Sequence, residues 1–198
     1  MHHKRTGGVL LHLSSLNGPF AVGVMGREAF AFVNKLKEWG FSLWQMLPLC
    51  PVDDTGSPYC SVSAFAGNIA FIDPRLLRDD GLVTDEEVRE NEFSGSVYAA
   101  DWKFAFQKRL ELLKKAFSRL DGDTKKLIEL FAAQNDWVRP FALYSALKDH
   151  HDKRPWWEWE KKYSHYNSAL KHAGEFKEET DFYIFTQYVF FTLCVAAD

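Results

Sequence analysis

Two short apolar runs with one helical stripe between them set the strongest limit on how this chain folds. Gly8 to His12 is an apolar run that follows Gly7, and Phe41 to Leu47 is a second, closed by Pro48. Between them, over Gly26 to Trp39, Ala29, Phe32, Val33, Leu36 and Trp39 recur at spacings of three and four. That spacing marks a helix with one buried face, and Gly40 is placed to end it. Strand, helix and strand within about forty residues make a βα unit followed by a parallel neighbour, joined by a right-handed crossover. Parallel strands are ordinarily covered on both faces, so both runs are expected to be buried.

Turn chemistry divides the rest. Ser14, Ser15, Asn17, Gly18, Pro19 and Gly23 form a loop after the first strand. A longer loop follows the second strand through Pro51, Gly56, Pro58 and Gly67 to an apolar piece, Ile69 to Ile72. Asp73-Pro74 opens a short helix through Leu77, with Asp73 as a helix cap or turn former, and Thr84-Asp85-Glu86-Glu87 is a capping box. From about Ala99 the chain reads as helix. Trp102, Phe106, Leu110, Leu113 and Phe117 form one stripe; Leu127, Leu130 and Phe131 a second; Trp137, Phe141, Tyr144 and Leu147 a third, with Pro140 in its first turn. Two shorter helical pieces run from Trp156 to Tyr163 and from Ser168 to Phe176. A final helix runs from Asp181, its expected N-cap, to about Ala197.

With 46% hydrophobic and 16% aromatic residues, the chain packs a core and is not disordered. A net charge of −3, with acids and bases interspersed, lacks the clustered basic face that nucleic acid demands. Lys125-Lys126 and Lys161-Lys162 read as solvated helix surface. No apolar run reaches membrane-spanning length and no signal peptide is visible, so a cytoplasmic setting is expected. Three cysteines, Cys50, Cys60 and Cys194, fit no metal or CxxC spacing and read as free thiols, with a Cys50–Cys60 disulfide across the loop as the lesser alternative in a reducing compartment.

The loop from Cys50 to Asn68 holds the residues with binding chemistry. A Ser57 hydroxyl both donates and accepts. Tyr59 offers an apolar ring face and a phenol, and Pro58 between them restricts the backbone. In barrels of parallel strands, the loop after a strand's carboxyl end is where substrates bind. The competing arrangement is a turn in which Ser57 bonds its own backbone and Tyr59 packs inward. Asn68 is expected to brace the loop. Gln45, an amide inside an apolar strand, needs partners and reads as a supporting residue. His12, at the end of the first strand, reads as a hydrogen-bonded structural residue. His150, His151, His165 and His172 are assigned to the surface. Trp156, Trp157 and Trp159 could stack on a sugar, but core packing is expected of them because Trp156 and Trp159 share a helical face.

Gly8-Val9-Leu10-Leu11-His12, Ser14-Ser15-Leu16, Gly18-Pro19-Phe20, Gly23, Trp44-Gln45-Met46-Leu47-Pro48-Leu49, Ser57-Pro58-Tyr59 and Ser63-Ala64-Phe65-Ala66-Gly67-Asn68 together resemble the opening of the 4-α-glucanotransferases, also called amylomaltases or disproportionating enzymes. The similarity is dense from Arg5 to Asp73. It loosens through Phe141-Ala142-Leu143-Tyr144 and Pro155-Trp156-Trp157-Glu158-Trp159, and returns from Phe182 to Phe191. The resemblance implies an α/β fold, an incomplete (β/α)8 TIM-type barrel with a large helical insertion. Residues 1–75 would supply the first βα units and the substrate loop, 76–175 the insertion, and 176–198 the start of a barrel helix. It implies a retaining double displacement on α-1,4-glucans or maltooligosaccharides, with no cofactor and no metal. It also implies that Ser57 and Tyr59 line the glucan cleft.

Retaining glycosyl transfer uses two carboxylates about 5–5.5 Å apart. Asp53-Asp54 diverge as neighbours, and Asp79-Asp80, Glu86-Glu87 and Glu178-Glu179 read as capping or solvated charges. In the family the catalytic acids lie on later strands, so no catalytic residue is assigned here. After Phe190-Phe191 the family's Gln-Trp pair is replaced by Thr192-Leu193. This implies truncation, a frameshift or a fragment, poorly stable alone and without transferase activity. Two alternatives remain: a non-catalytic glucan-binding or interaction module, and an unrelated barrel enzyme.

Overall fold

Gly8–Leu10 (β1) pairs in parallel with Leu43–Gln45 (β2), in the register Gly8 to Leu43, Val9 to Trp44 and Leu10 to Gln45. The computed structural model describes residues 5–52, 56–96 and 98–194. The crossover between the strands is Arg27–Glu38 (α1). The Trp44 indole donates to Leu11 O at 2.8 Å and meets the Phe32 ring edge-on at 4.9 Å, which fixes helix against sheet.

The strands are shorter than their apolar runs and are not buried. Leu10 and Leu43 are 60% and 58% exposed. Successive strand residues face opposite ways. Val9 and Trp44 share the half-buried face that carries α1, whereas Leu10, Leu43 and Gln45 share the other, which no described element covers. On α1 itself only Ala29 and Leu36 are buried and Val33 stays exposed, as does Trp39 just beyond its end.

Contacts divide the described residues into two compact units, one within Met1–Arg119 and Phe190–Asp198, the other within Leu120–Val189. In the first, Ile69–Phe71 forms a buried 3-10 turn, and an isolated parallel bridge joins Met25 to Ile72. Pro74–Asp79 (α2) is capped by Asp73, which accepts from Arg75 N at 2.9 Å. Asp85–Arg89 (α3) carries the expected capping box: Thr84 Oγ1 accepts from Glu87 N, and Glu87 Oε2 accepts from Thr84 N. Trp102–Ser118 (α4) is capped by Asp101. Its buried face is Ala105, Arg109, Leu112, Leu113 and Ala116, and Phe106 of the expected stripe is exposed. A buried arginine on the inner face disguises the period. Arg109 donates to Asn91 Oδ1 at 3.2 Å, and Phe20 has the guanidinium groups of Arg75 and Arg109 at 5.1 and 5.4 Å from its ring.

The second unit comprises Gly122–Gln134 (α5), Val138–His150 (α6), Tyr166–Ala169 (α7) and Lys177–Val189 (α8). Its core draws Leu143, Ala146 and Leu147 of α6 against Trp159, Tyr163, Ala169 and Phe176. The expected stripes again shift by one position: Ile128 and Ala132 are buried on α5 while Leu127 and Leu130 are exposed. Asp181 is not an N-cap. The 3-10 segment Leu170–Phe176 runs straight into α8, so Asp181 sits inside the helix and accepts from Lys177 at 2.5 Å. A π-helical turn, Phe190–Cys194, continues it. His151 is buried rather than surface: Nδ1 lies 2.8 Å from Leu147 O and the ring stacks on Trp159 at 5.0 Å. Cys50 and Cys60 are free thiols. Among the described residues no helix is long and apolar enough to cross a membrane.

Candidate functional site

The loop that leaves the carboxyl end of β2 is closed at its base. Asn68 N donates to Leu49 O at 2.9 Å, and Asn68 Oδ1 accepts from Ala70 N at 3.0 Å, capping the 3-10 turn. The Asn68 side chain is itself buried. Two glycines fasten the loop to its neighbours. Gly56 adopts φ 73°, a left-handed conformation that suits a residue without Cβ. It also lies so close to the Trp102 indole that a Cβ would come within 2.8 Å of the ring. Gly67 lies against the Phe190 ring, where a Cβ would approach to 2.1 Å. Ser61 and Ser63 spend their hydroxyls on the loop's own backbone. Asp53 and Asp54 lie outside the described residues.

On this frame Ser57 and Tyr59 form a tight turn. Cys60 N donates to Ser57 O at 3.2 Å, and Tyr59 N reaches Ser57 Oγ at 3.4 Å. Ser57 is half-buried, while Tyr59 is 74% exposed, its ring leaving the loop rather than packing inward. Ser57 engages its own turn, and Tyr59 presents its ring and phenol outward instead of packing in.

At the strand ends Leu11 N, one residue before His12, donates to Gln45 O at 3.1 Å. The His12 and Gln45 side chains differ from expectation. Gln45 is exposed, because its register places it on the uncovered sheet face. Among the described residues both His12 ring nitrogens are buried without a hydrogen-bond partner, and the ring meets Phe71 edge-on at 5.6 Å. Burial pushes its pKa below the ordinary histidine value, which favours the neutral imidazole.

A cleft of about 360 Å³ lies elsewhere in the same unit, lined by none of these residues, and sequence reasoning missed it. One wall is the loop after β1, with Ser14, Ser15 and Asn17; the other is the segment with Phe93, Ser96 and Tyr98. Phe93 N donates to Pro19 O at 2.7 Å and Asp101 N to Ala21 O at 3.1 Å, pinning that segment at both ends. Ala21, which lines the cleft, holds φ 65°, a conformation costly for a residue with a Cβ. The serines and the Asn-Gly pair were visible only as turn formers. Their pairing with the segment of Phe93 is a tertiary event.

Three acids of this unit that are buried or half-buried, Glu28, Asp73 and Glu87, are committed to arginines. Arg75 reaches Glu28 through Nη1 at 3.0 Å and Nη2 at 2.5 Å, and Asp73 through Nε at 2.9 Å and Nη2 at 2.6 Å. The Arg75 hydrogen bonds hold the Glu28 carboxyl below its usual pKa. Arg119 grips Glu87 with both terminal nitrogens, at 2.6 and 2.8 Å, and draws its pKa to about 2. These pairs serve as scaffold. Among the described residues no group of three or more His, Cys, Asp or Glu could hold a metal ion.

The chain is similar to known proteins along nearly its whole length. The family model described as 4-alpha-glucanotransferase matches residues 11–197. The 4-alpha-glucanotransferase of Aquifex aeolicus is 37% identical over 192 residues, covering 94% of this chain and 38% of that protein. The Thermus thermophilus 4-alpha-glucanotransferase is 39% identical over 201 residues, covering 96% of this chain and 39% of that protein. A solved amylomaltase from Streptococcus agalactiae, in complex with acarbose, superposes with a TM-score of 0.89 at 32% identity, again covering 96% of this chain and 39% of that one. The chain thus spans well under half the length of these relatives, and over that span sequence and backbone agree: it belongs to the 4-alpha-glucanotransferase family.

Proposed function

We propose that this chain supplies one wall of the glucan cleft of a 4-alpha-glucanotransferase, an enzyme that moves α-1,4-glucan segments by retaining double displacement. The observation that carries the reading is the Ser57–Tyr59 turn. It exposes Tyr59 on a loop closed by Asn68 and fastened at Gly56 and Gly67, so little ordering entropy is lost on binding. A sugar's apolar face would stack on the Tyr59 ring, with hydroxyls at the phenol and at Ser57. Asn68 acts as brace; His12 and Gln45 stand at the strand ends from which the loops depart. We place the chain as an incomplete (β/α)8 barrel: residues 1–75 as the first βα units, 76–175 as a helical insertion, 176–198 as the opening of a barrel helix. The uncovered face of Leu10, Leu43 and Gln45 would be an inner face of that barrel. No residue receives a catalytic role, no cofactor is invoked, and the setting proposed is the cytoplasm.

A second reading, a glucan-binding module without chemistry, is favoured by a specific observation. Among the described residues the loop is closed at Asn68 and held by the contacts of Gly56 with Trp102 and of Gly67 with Phe190, so it can present Tyr59 to a sugar without a catalytic group. The test is titration with maltoheptaose or acarbose, followed by tryptophan fluorescence, with Trp102 beneath the loop as reporter. Tyr59→Ala is expected to weaken binding about ten-fold, in line with the loss of an aromatic contact. Binding unchanged by Tyr59→Ala refutes the loop as the site. Turnover of maltotriose separates the enzyme from the module.

A further inference from the structure

The second unit carries an aromatic groove that the loop site leaves unused. It is about 190 Å³ in volume and is walled by Tyr144, Trp156, Trp159, Tyr163 and Tyr166. Its floor is rigid. Trp159 is buried, donates through Nε1 to Arg154 O at 3.0 Å, and packs against Tyr144 at 5.5 Å and His151 at 5.0 Å. Tyr163 donates its phenol to Glu175 at 2.7 Å. Its rim is unfinished. Trp156 is 46% and Tyr166 51% exposed, and their indole and phenol groups make no hydrogen bond among the described residues.

We propose that this groove is a second carbohydrate site, which seats one neutral hexopyranose ring of an α-1,4-glucan against Trp156 and Tyr166. Three features select that ligand. Among the described residues no charged side chain is part of the groove's lining. Lys148 and Lys162 sit over the Tyr144 and Tyr163 rings at 5.9 and 4.3 Å, and Lys162 already pairs with Glu160 and Glu175, so little there repays the desolvation of an ionic ligand such as a phosphate or an acidic peptide. An acyl chain would match the apolar floor but leave the rim donors unpaired as it displaced their water. A pyranose has apolar C–H faces and a hydroxyl edge, which together satisfy floor and rim. The volume falls below the roughly 300–1,000 Å³ of pockets that enclose a whole drug-sized ligand, so the groove grips one unit of a longer chain. That the sugar is a glucan rests on the function proposed above; the groove's selection of a neutral pyranose does not.

The full-length chain and its variants Trp156→Ala, Tyr166→Ala, Leu130→Ala and Tyr59→Ala are compared by electrophoresis through amylose gels. Indole N–H resonances are recorded during titration with maltoheptaose, the Trp156 signal being the one missing from Trp156→Ala. Retention is expected to weaken about five-fold in Trp156→Ala and in Tyr166→Ala and to stay unchanged in Leu130→Ala, whose side chain is exposed away from the groove lining. The Trp156 indole is expected to shift with maltoheptaose in both the parent and Tyr59→Ala. A Trp156 indole that maltoheptaose leaves unmoved overturns the proposal, and so does parental retention of both groove variants. A shift produced by a polyproline peptide but not by the sugar overturns it in favour of a peptide groove. If Tyr59→Ala binds like the parent while the groove variants fail, the loop reading falls and the groove stands.

Discussion

Asp73 joins the helical part of the first unit to its loops, and replacing it should cost a definite amount. Its carboxylate is 1% exposed. It caps α2 by accepting from Arg75 N and takes two further donors from the Arg75 guanidinium, whose side chain is itself only 14% exposed. Loss of the cap costs about 1 kcal/mol. Breaking a buried ion pair outright costs about 3–5 kcal/mol. Glu28 still holds Arg75 through both terminal nitrogens, so roughly half that penalty applies, and Asp73→Ala is expected to lose about 3 kcal/mol in all. Asp73→Asn keeps the capping oxygen and surrenders only the charge, for about half as much. In a chain of this size the alanine variant should melt about 6–12 °C below the parent and the asparagine variant about 3–6 °C below it. Thermal unfolding followed by far-ultraviolet circular dichroism reads both. Combining Asp73→Asn with Glu28→Gln should depart from additivity by at least about 0.5 kcal/mol, since both carboxylates share one guanidinium. An alanine variant within about 1 kcal/mol of the parent, or strict additivity of the pair, would show that Arg75 does not tie α1 to α2.

Other expectations follow from single contacts. Glu87 is held at a folded pKa of about 2 by Arg119, below its unfolded value of about 4.5, so its contribution is complete above that value and drains away as pH falls toward about 2. The Arg119 side chain is 43% exposed, so screening cuts the linkage to about 1 kcal/mol. Urea midpoints measured from neutral pH to about pH 3 should fall more steeply for the parent than for Glu87→Gln, and parallel curves would contradict the assignment. Gly67→Ala drives a methyl into the Phe190 ring and should destabilise by about 1–3 kcal/mol, visible in the same melts. Tyr59→Ala, on an exposed ring, should leave the melt within about 0.5 kcal/mol of the parent while weakening glucan binding.

Features that depend on a few neighbouring residues were legible. The capping box at Thr84 and Glu87 and the cap at Asp73 close within three residues, so composition alone announces them. The same holds for Asn68, whose amide caps the turn that follows it. The order of β1, α1 and β2 follows from apolar period and punctuation by glycine and proline. Which helix faces turn inward was not legible. The structure buries Ala105, Ala116, Ala142 and Ala146 and leaves Phe106, Leu127 and Leu130 exposed. Close helix packing selects small residues at the contact, and hydropathy ranks them below the large ones outside it. Of the tryptophans that share one short motif, Trp159 became core and Trp156 a groove wall, a choice made by α6 and the segment after it.

For this protein, then, the amino-acid sequence alone settled the family, the parallel βα beginning and the loop rich in hydroxyls and aromatics, because periods, caps and turns are set by residues a few positions apart. Tertiary structure decided the rest. It turned Tyr59 outward, left Gln45 on an open sheet face, enclosed the His12 ring nitrogens without a hydrogen-bond partner among the described residues and built a cleft from two distant segments. Those outcomes depend on what covers each surface, and covering is a property of elements brought together from far along the chain.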